Sequence, residues 1–382
     1  MIKLLTVIGA RPQIIKAAAI SRAVRNCFAD QIEEKILHTG QHYDANMSQV
    51  FFDELGIPAP DFNLGVGSGS HGVQTAKMIS GIEEVLTSEH FDGIILYGDT
   101  NSTLAGAVAA SKIHIPVFHI EAGLRSFNMT MPEEVNRIVC DQLSSICFSP
   151  TQTGVENLKR EGFFESQTKF KNGKGRLVVN CGDVMYDNSM YFASMAEQKS
   201  DILSRLGVNQ GEYILTTIHR PNNTDDPVRL TAIISSLLFI TERDGITLVL
   251  PLHPRTKNLL DKNLEKSVNE KLINSSKVKI IPPASFFEII VLEKNARIVM
   301  TDSGGVQKES FFFERPCVIL RPETEWVEIV EHGAGIIADA DPVRIIDAYD
   351  QLVGTTPTFP SLFGDAHASK HILETIQNYL GN

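Results

Sequence analysis

Tyr97-Gly98-Asp99-Thr100-Asn101-Ser102-Thr103 opens the stretch on which the fold of this chain turns. The apolar run Ile94 to Tyr97 stops at Gly98-Asp99, and a small-residue segment that reads as a helix follows. A second apolar run, Val117 to Ile120, stops at Glu121-Ala122-Gly123-Leu124-Arg125. A third motif, Met131-Pro132-Glu133-Glu134-Val135-Asn136-Arg137, opens the next helix, with proline where a first helical turn accepts it. Each motif puts acidic or polar groups just past a strand or at a helix start. In an open α/β sheet, ligands lie outside the carboxyl ends of the strands. Acids also favour helix N-termini for purely local reasons. Three such acids in so short a span, beside Arg125 and Arg137, point to a built polar site.

Working outward, short β-branched runs alternate with helical patterns along the whole chain. Strands are expected at 4–8, 35–38, 94–97, 117–120, 146–149, 177–179, 213–217, 247–250, 278–281, 298–301 and 318–320. That alternation is the signature of parallel sheets built from βαβ units. Eleven strands are many for one doubly wound sheet, and 382 residues suit two domains. Residues 165–176 are polar, basic and poor in apolar side chains, as expected of a surface loop. The predicted fold class is therefore α/β, with two Rossmann-like domains facing across a cleft. The expected boundaries are 1–180 for the first domain, carrying the carboxylates, and 181–364 for the second. An amphipathic helix within 365–382 is expected to pack back on the first domain.

Composition narrows the function classes. The formal net charge of −11 argues against a nucleic-acid surface, though an acidic protein can still hold a local basic pocket. Hydrophobic residues make up 43%, enough for two cores, and no apolar run has the length of a membrane span. Met1-Ile2-Lys3-Leu4-Leu5 reads directly as a strand, so no signal peptide is expected. The five cysteines are scattered and contain no CxxC, which predicts reduced thiols and a cytoplasmic location. No His, Cys or Asp cluster has metal-ligand spacing, so no metal is expected.

Three further segments bear on anion binding. The first βα turn, Ile8-Gly9-Ala10-Arg11-Pro12-Gln13, places Arg11 and Lys16 near a helix N-terminus, where an anion is favoured. It lacks GxGxxG, so a nicotinamide dinucleotide is not indicated. Thr301-Asp302-Ser303-Gly304-Gly305-Val306-Gln307-Lys308-Glu309 reads as strand end, turn and helix start. Amides of Ser303, Gly304 and Gly305 suit a phosphate, and Glu309 suits two ribose hydroxyls. Thr217-Ile218-His219-Arg220-Pro221 puts His219 past another strand, where it suits a diphosphate or a proton transfer. His253 is a weaker parallel, and Thr39 to Asp44 reads as a polar, aromatic loop.

Taken in order, Arg11-Pro12 with Lys16, GDTNST, HIEAGLR, MPEEVNR, IHRP and TDSGGVQKE resemble the non-hydrolysing UDP-N-acetylglucosamine 2-epimerases. The resemblance covers essentially the whole chain. It implies the glycosyltransferase-B-like two-domain fold, usually as a homodimer. It also implies inversion at C2 of a UDP-2-acetamido sugar without an external cofactor, for surface polysaccharide biosynthesis. By that resemblance Asp99, Glu121 and Glu133 match the catalytic carboxylates and His219 the histidine on the diphosphate side. Arg11, Lys16, Ser303, Gly304, Gly305 and Glu309 match the UDP-binding residues, and Arg137 an arginine that supports the site. Three departures mark the chain. Trp326 stands in Thr324-Glu325-Trp326-Val327-Glu328 where the best-known branch has arginine, and Phe127 to Met131 forms a shorter lead into Pro132-Glu133-Glu134. Asp44 and residues 67–72 replace an allosteric glutamine and arginine. The pattern is closest to the branch that acts on UDP-2,3-diacetamido-2,3-dideoxy-glucuronate, and Trp326 is a candidate for reading the sugar.

The implied chemistry suits these residue types. The C2 hydrogen of an acetamido sugar is not acidic, so its removal is coupled to departure of UDP from C1. Re-addition of UDP, with a proton delivered to the opposite face of C2, gives the epimer. Clustered carboxylates push each other's pKa up and then serve as acid or base near neutrality. Either division of base and acid among the three satisfies the chemistry; the preferred reading makes Asp99 the base, with Glu121 and Glu133 as acid and proton relay. A UDP-sugar-dependent glycosyltransferase and a hydrolysing UDP-N-acetylglucosamine 2-epimerase are the alternatives.

Overall fold

The structure is a computed structural model that describes residues 1–40, 56–164, 170 and 173–381. The chain forms two compact units, Met1–Asn188 with Ser361–Asn382, and Ser189–Pro360. In the first unit the strands are β1 (Ile2–Ile8), β2 (Ile32–His38), β3 (Phe62–Asn63), β4 (Gly93–Tyr97), β5 (Val117–Ile120), β6 (Ile146–Ser149) and β7 (Leu177–Asn180). They form one parallel sheet in the order β3-β2-β1-β4-β5-β6-β7. In the second unit the strands are β8 (Tyr213–Thr217), β9 (Thr247–Pro251), β10 (Val278–Ile281), β11 (Ile298–Thr301), β12 (Cys317–Ile319) and β13 (Gly335–Ile337). Their parallel order is β10-β9-β8-β11-β12-β13.

Both sheets are doubly wound. The chain builds outward from β1 to β3, then returns to the other side of β1 with β4. The second unit repeats this with β8 and β11. Each sheet therefore has one topological switch point, where the loops after two neighbouring strands diverge and leave a crevice. β4 and β5 are buried at every position, as expected when helices cover both faces of a parallel sheet. The cores follow from that layering. Leu5, Val7, Met78, Ile82, Ile94 and Leu96 anchor the first. Ile214, Leu230, Ile234, Leu248, Met300 and Ile345 belong to the second. Each such side chain stabilises the fold by about 1.5–3 kcal/mol on burial. Among the described residues no helix is long and apolar enough to cross a membrane.

The C-terminal helix Ala368–Leu380 belongs to the first unit. Asp187 accepts hydrogen bonds from the amides of Ala368 (2.9 Å) and Ser369 (2.8 Å) and from the Ser369 hydroxyl (2.6 Å), satisfying the helix start. Tyr379, at its other end, packs edge-on against Phe118 of β5.

The division falls at residues 188–189 and 360–361 rather than at 180 and 364. Helix Val184–Lys199 runs through the first of these points. Its early turns are held within the first unit, with Asn188 donating to the Ile15 carbonyl at 2.6 Å and Arg22 donating to Asn188 at 3.0 Å. Two strands were not foreseen. β3 is two residues long, too short for any alternation, and β13 opens on Gly335. Residues 165–169, 171 and 172 of the expected surface loop lie outside the described residues.

Glu293, in helix Phe286–Asn295, is fully buried, and neither carboxyl oxygen has a hydrogen-bond partner among the described residues. Burial, with Glu309 adding repulsion, pushes its carboxyl well above the usual range. The folded state thus holds this proton more tightly than the unfolded chain. Stability falls as pH rises from the ordinary carboxylate range through the raised folded value. Glu293→Gln removes that loss, so urea unfolding at mildly alkaline pH is expected to show a more stable variant, with the gain fading as pH falls.

Candidate functional site

The first unit gathers its charged groups at the switch point between β1 and β4 and the neighbouring end of β5. Asp99 follows β4, Glu121 follows β5, and Lys16 lies on helix Arg11–Cys27, which follows β1. Lys16 pairs with Glu121, and Arg137 pairs with Asp99. The pairs adjoin: a Cβ on Gly98 would lie 3.1 Å from both Glu121 Oε2 and Lys16 Nζ. Gly98 also has φ +60°, so glycine is favoured there by conformation as well as by space.

Glu121 is itself in the left-handed region, with φ +73°. That conformation costs a side-chain-bearing residue roughly 1–2 kcal/mol. It persists because the Glu121 and Ala122 amides both donate to the Phe148 carbonyl, at 3.1 and 2.9 Å. Backbone strain of this kind is a recurrent mark of functional positions. Burial raises the Asp99 carboxyl above its ordinary range; Arg137 opposes the rise, and the Glu121 carboxylate adds to it.

Helix Pro132–Leu143 supplies the rest of this cluster. Its buried face carries Glu134, Asn136, Arg137 and Asp141, the reverse of an ordinary amphipathic helix. Glu134 takes Arg137 Nη1 at 3.0 Å and the Ser126 hydroxyl at 2.9 Å. It also accepts from the amides of Ser126 (3.0 Å) and Phe127 (2.9 Å). Phe127 is thereby held at φ +57°, and the residue is 76% exposed. Glu133, the carboxylate expected from sequence, is exposed on the first turn and enters none of these ion pairs. Its neighbour Glu134 had no assigned role and is the one built into the cluster.

Beneath the cluster lies a network of three buried residues, His119, Arg125 and Asp141, that reaches out to Glu161 at the surface. His119 Nδ1 is 2.7 Å from Asp141 Oδ1. Arg125 donates to Asp141 Oδ2 at 2.8 Å and to both oxygens of Glu161 at 2.7 Å. Burial opposes charge on His119, but Cys140 and Asp141 outweigh it and raise the imidazole well above its ordinary value. The same contacts hold the Asp141 carboxyl low despite burial. His119 and Arg125 bracket the segment His119-Ile120-Glu121-Ala122-Gly123-Leu124-Arg125, but nothing in that segment announces their pairing with Asp141.

The second unit has its own switch-point cluster between β8 and β11. Asp302 is completely buried. It accepts from the amides of His219 (3.1 Å) and Arg220 (3.0 Å) and from Asn223 (3.1 Å), with His219 Nδ1 also at 3.1 Å. Burial alone would raise its carboxyl; His219 and these amides outweigh that and hold it low. Asp302 thus orients His219, whose side chain remains 53% exposed. One residue on, Ser303 caps helix Gly304–Phe312 by accepting from Val306. Gly304 and Gly305 fall in the first turn, where amides have no intrahelical acceptor. Glu309 lies one turn below, with Oε2 3.9 Å from the point a Gly305 Cβ would occupy.

Trp326 is only 3% exposed, and Lys308 Nζ sits 4.2 Å from its ring centroid. Thr324 fastens this segment by donating to Gln307 at 2.6 Å. In this structure Trp326 packs against Lys308 rather than presenting its ring to solvent. Arg11 is exposed at the start of its helix, and His253 caps helix Pro254–Asn263 by accepting from the Arg255 amide. Of the expected loop from Thr39 to Asp44, Gln41 to Asp44 lie outside the described residues.

Two doubly wound parallel sheets, each with polar residues at its switch point, place the molecule in the class with two Rossmann-like domains, glycosyltransferase-B-like in architecture. Comparison with known proteins then gives the family. The profile of the UDP-N-acetylglucosamine 2-epimerases matches residues 25–377. The chain is 46% identical over 373 residues to the UDP-2,3-diacetamido-2,3-dideoxy-D-glucuronate 2-epimerase of Pseudomonas aeruginosa, covering 97% of this chain and 98% of that one. It is 44% identical over 377 residues to a UDP-N-acetylglucosamine 2-epimerase homolog of Methanococcus maripaludis, covering 98% and 99%. The crystal structure of the Methanocaldococcus jannaschii UDP-GlcNAc 2-epimerase, in complex with UDP-GlcNAc and UDP, superposes with a TM-score of 0.83 at 38% identity, covering 99% and 100%. The chain belongs to the UDP-N-acetylglucosamine 2-epimerase family, a family of isomerases.

Proposed function

We propose that this protein inverts C2 of a UDP-2-acetamido sugar by eliminating and re-adding UDP, and that its substrate is UDP-2,3-diacetamido-2,3-dideoxy-glucuronate. The observation that carries the reading is the adjoining pair of charge pairs, Asp99 with Arg137 and Glu121 with Lys16, at one switch point. Two carboxylates of unequal environment are what a reaction needs when one face of a carbon loses a proton and the other gains one. The similarity to the Pseudomonas aeruginosa enzyme supports the choice of sugar.

In this reading Asp99, whose raised carboxyl makes it a stronger base than an ordinary aspartate, takes the C2 hydrogen as a proton. The electron pair left at C2 forms the C1–C2 double bond, and the C1–O bond breaks to release UDP. Return of UDP to C1 and of a proton to the opposite face of C2, from Glu121 with the exposed Glu133 relaying that proton from solvent, completes the inversion. No external cofactor enters this balance. Arg11, Lys16 and His219 offset charge developing on the diphosphate, and Ser303, Gly304 and Gly305 bind it through amides. Glu309 takes the ribose hydroxyls, and Trp326 acts on sugar choice through Lys308. We further read the protein as a cytoplasmic homodimer in surface polysaccharide biosynthesis.

The test offers UDP-2,3-diacetamido-glucuronate and UDP-N-acetylglucosamine in separate incubations and identifies the products by NMR. A manno product from the first alone is expected. Conversion of only UDP-N-acetylglucosamine would overturn the choice of sugar. Binding of UDP without conversion of either would overturn the activity.

A further inference from the structure

From the last residue of β4 onward three successive backbone carbonyls are held by four buried side chains, each from a different element. The Tyr97 carbonyl accepts from Gln13 Nε2 at 2.9 Å and Thr103 Oγ1 at 2.7 Å. The Gly98 carbonyl accepts from His119 Nε2 at 2.7 Å. The Asp99 carbonyl accepts from Asn136 Nδ2 at 2.9 Å. A loop leaving a sheet ordinarily turns such groups toward water. Here the backbone that carries Asp99 is fixed from three sides, and Gly98 is fixed in the left-handed conformation that aims it.

The His119 contact differs in kind from the others. A carbonyl only accepts, so Nε2 carries a hydrogen. Asp141 is flanked by Arg125 at 2.8 Å and by the Gly123 amide at 3.2 Å, which favours its ionised form, so Nδ1 donates as well. The geometry thus calls for a buried imidazolium. We propose that His119 is a positioning residue for Asp99, holding the Gly98–Asp99 peptide by a charge-assisted hydrogen bond that Asp141 maintains. His119 is completely buried, so it acts through Asp99 and exchanges no proton with substrate. The inference rests on the role proposed for Asp99.

Two substitutions separate positioning from plain stability. His119→Gln places an amide N–H near the position of Nε2 and keeps the donation to Gly98. His119→Asn places its amide near Nδ1, keeps the contact with Asp141 and leaves the Gly98 carbonyl unheld. Both remove the charge, so both lower thermal stability. His119→Asn is expected to lose turnover by roughly 10–100-fold, the size of effect a misplaced catalytic group produces, with KM little changed. His119→Gln is expected to retain most of the wild-type rate. Equal losses in the two variants, tracking stability, would overturn the proposal. Proton–nitrogen NMR of histidine-labelled wild type gives a second reading that does not depend on the variants folding. Both ring nitrogens of His119 are expected to stay protonated above neutral pH, and a neutral ring would overturn the proposal. Wild-type protein that exchanges no C2 hydrogen would count against the epimerase reading itself, whatever the variants do.

Discussion

Asp99→Asn is expected to lower turnover by roughly 10²–10⁴-fold, the usual worth of a general base, while leaving UDP affinity close to wild type. Asparagine keeps the size and the backbone contacts of the loop but cannot accept the C2 proton. Arg137 retains its bond to Glu134 at 3.0 Å, so the cluster is not left with a lone buried cation. The stability effect has the opposite direction from the loss of rate. Burial raises the Asp99 carboxyl, and the pull of Arg137 does not cancel that rise. The folded protein therefore binds this proton more readily than the unfolded chain. Stability falls as pH rises from the ordinary carboxylate range through the raised value. At neutral pH the asparagine variant should be at least as stable as wild type, and the difference should vanish as the medium is acidified. Steady-state rates, calorimetric UDP titration and urea unfolding at two pH values check the three parts. Unchanged turnover would remove Asp99 from the mechanism. A rate loss with equal loss of UDP affinity would make it a binding residue.

Asp141→Leu is expected to give the largest loss of stability, about 3–5 kcal/mol, the cost of removing one partner from a buried ion network. The side chain is fully buried and serves His119, Arg125 and the Gly123 amide together. Leucine leaves an imidazolium and a guanidinium without that anion, although Arg125 keeps Glu161. The wild-type network also sets two pH limits. Burial opposes the charge on His119, but Cys140 and Asp141 raise it, so its contribution is fully present below the ordinary histidine pKa and is lost as pH climbs through the raised value. Asp141 is held low against burial, chiefly by His119, so its contribution is present above the ordinary carboxylate pKa and is lost as pH falls through the lowered one. Urea unfolding across the pH range should show both losses in wild type and neither in the leucine variant. A leucine variant as stable as wild type at neutral pH would show that the network contributes little.

Most of the two sheets was legible because parallel strands buried on both faces read as unbroken apolar runs ending at a glycine or an acid. Ile94 to Tyr97 is such a run and Val117 to Ile120 is one interrupted by His119, and Asp99 and Glu121 follow from where they stop. Pairing across the sheet was not legible. Lys16 meets Glu121 only because β1, β4 and β5 lie side by side, and strand order is set by tertiary packing. The choice between Glu133 and Glu134 was hidden for a related reason. Adjacent residues on a helix point about 100° apart. The one that turns inward is decided by the Ser126 and Phe127 amides that Glu134 satisfies. Asp141 and Asn136 gave a weak signal, being polar at the helical spacing where apolar residues are expected. Trp326 had a departure from pattern but no partner until the fold set Lys308 against it.

In the proposed mechanism the C2 hydrogen leaves and returns as a proton while UDP departs and rejoins C1. That mechanism is tested most directly by turning over the UDP-2,3-diacetamido sugar in D2O and reading C2 of the product by proton NMR. A manno product carrying solvent deuterium at C2 is expected, formed by wild type and almost absent with Asp99→Asn. A manno product that keeps its original hydrogen at C2 would contradict the mechanism, because no carboxylate would then have exchanged that proton.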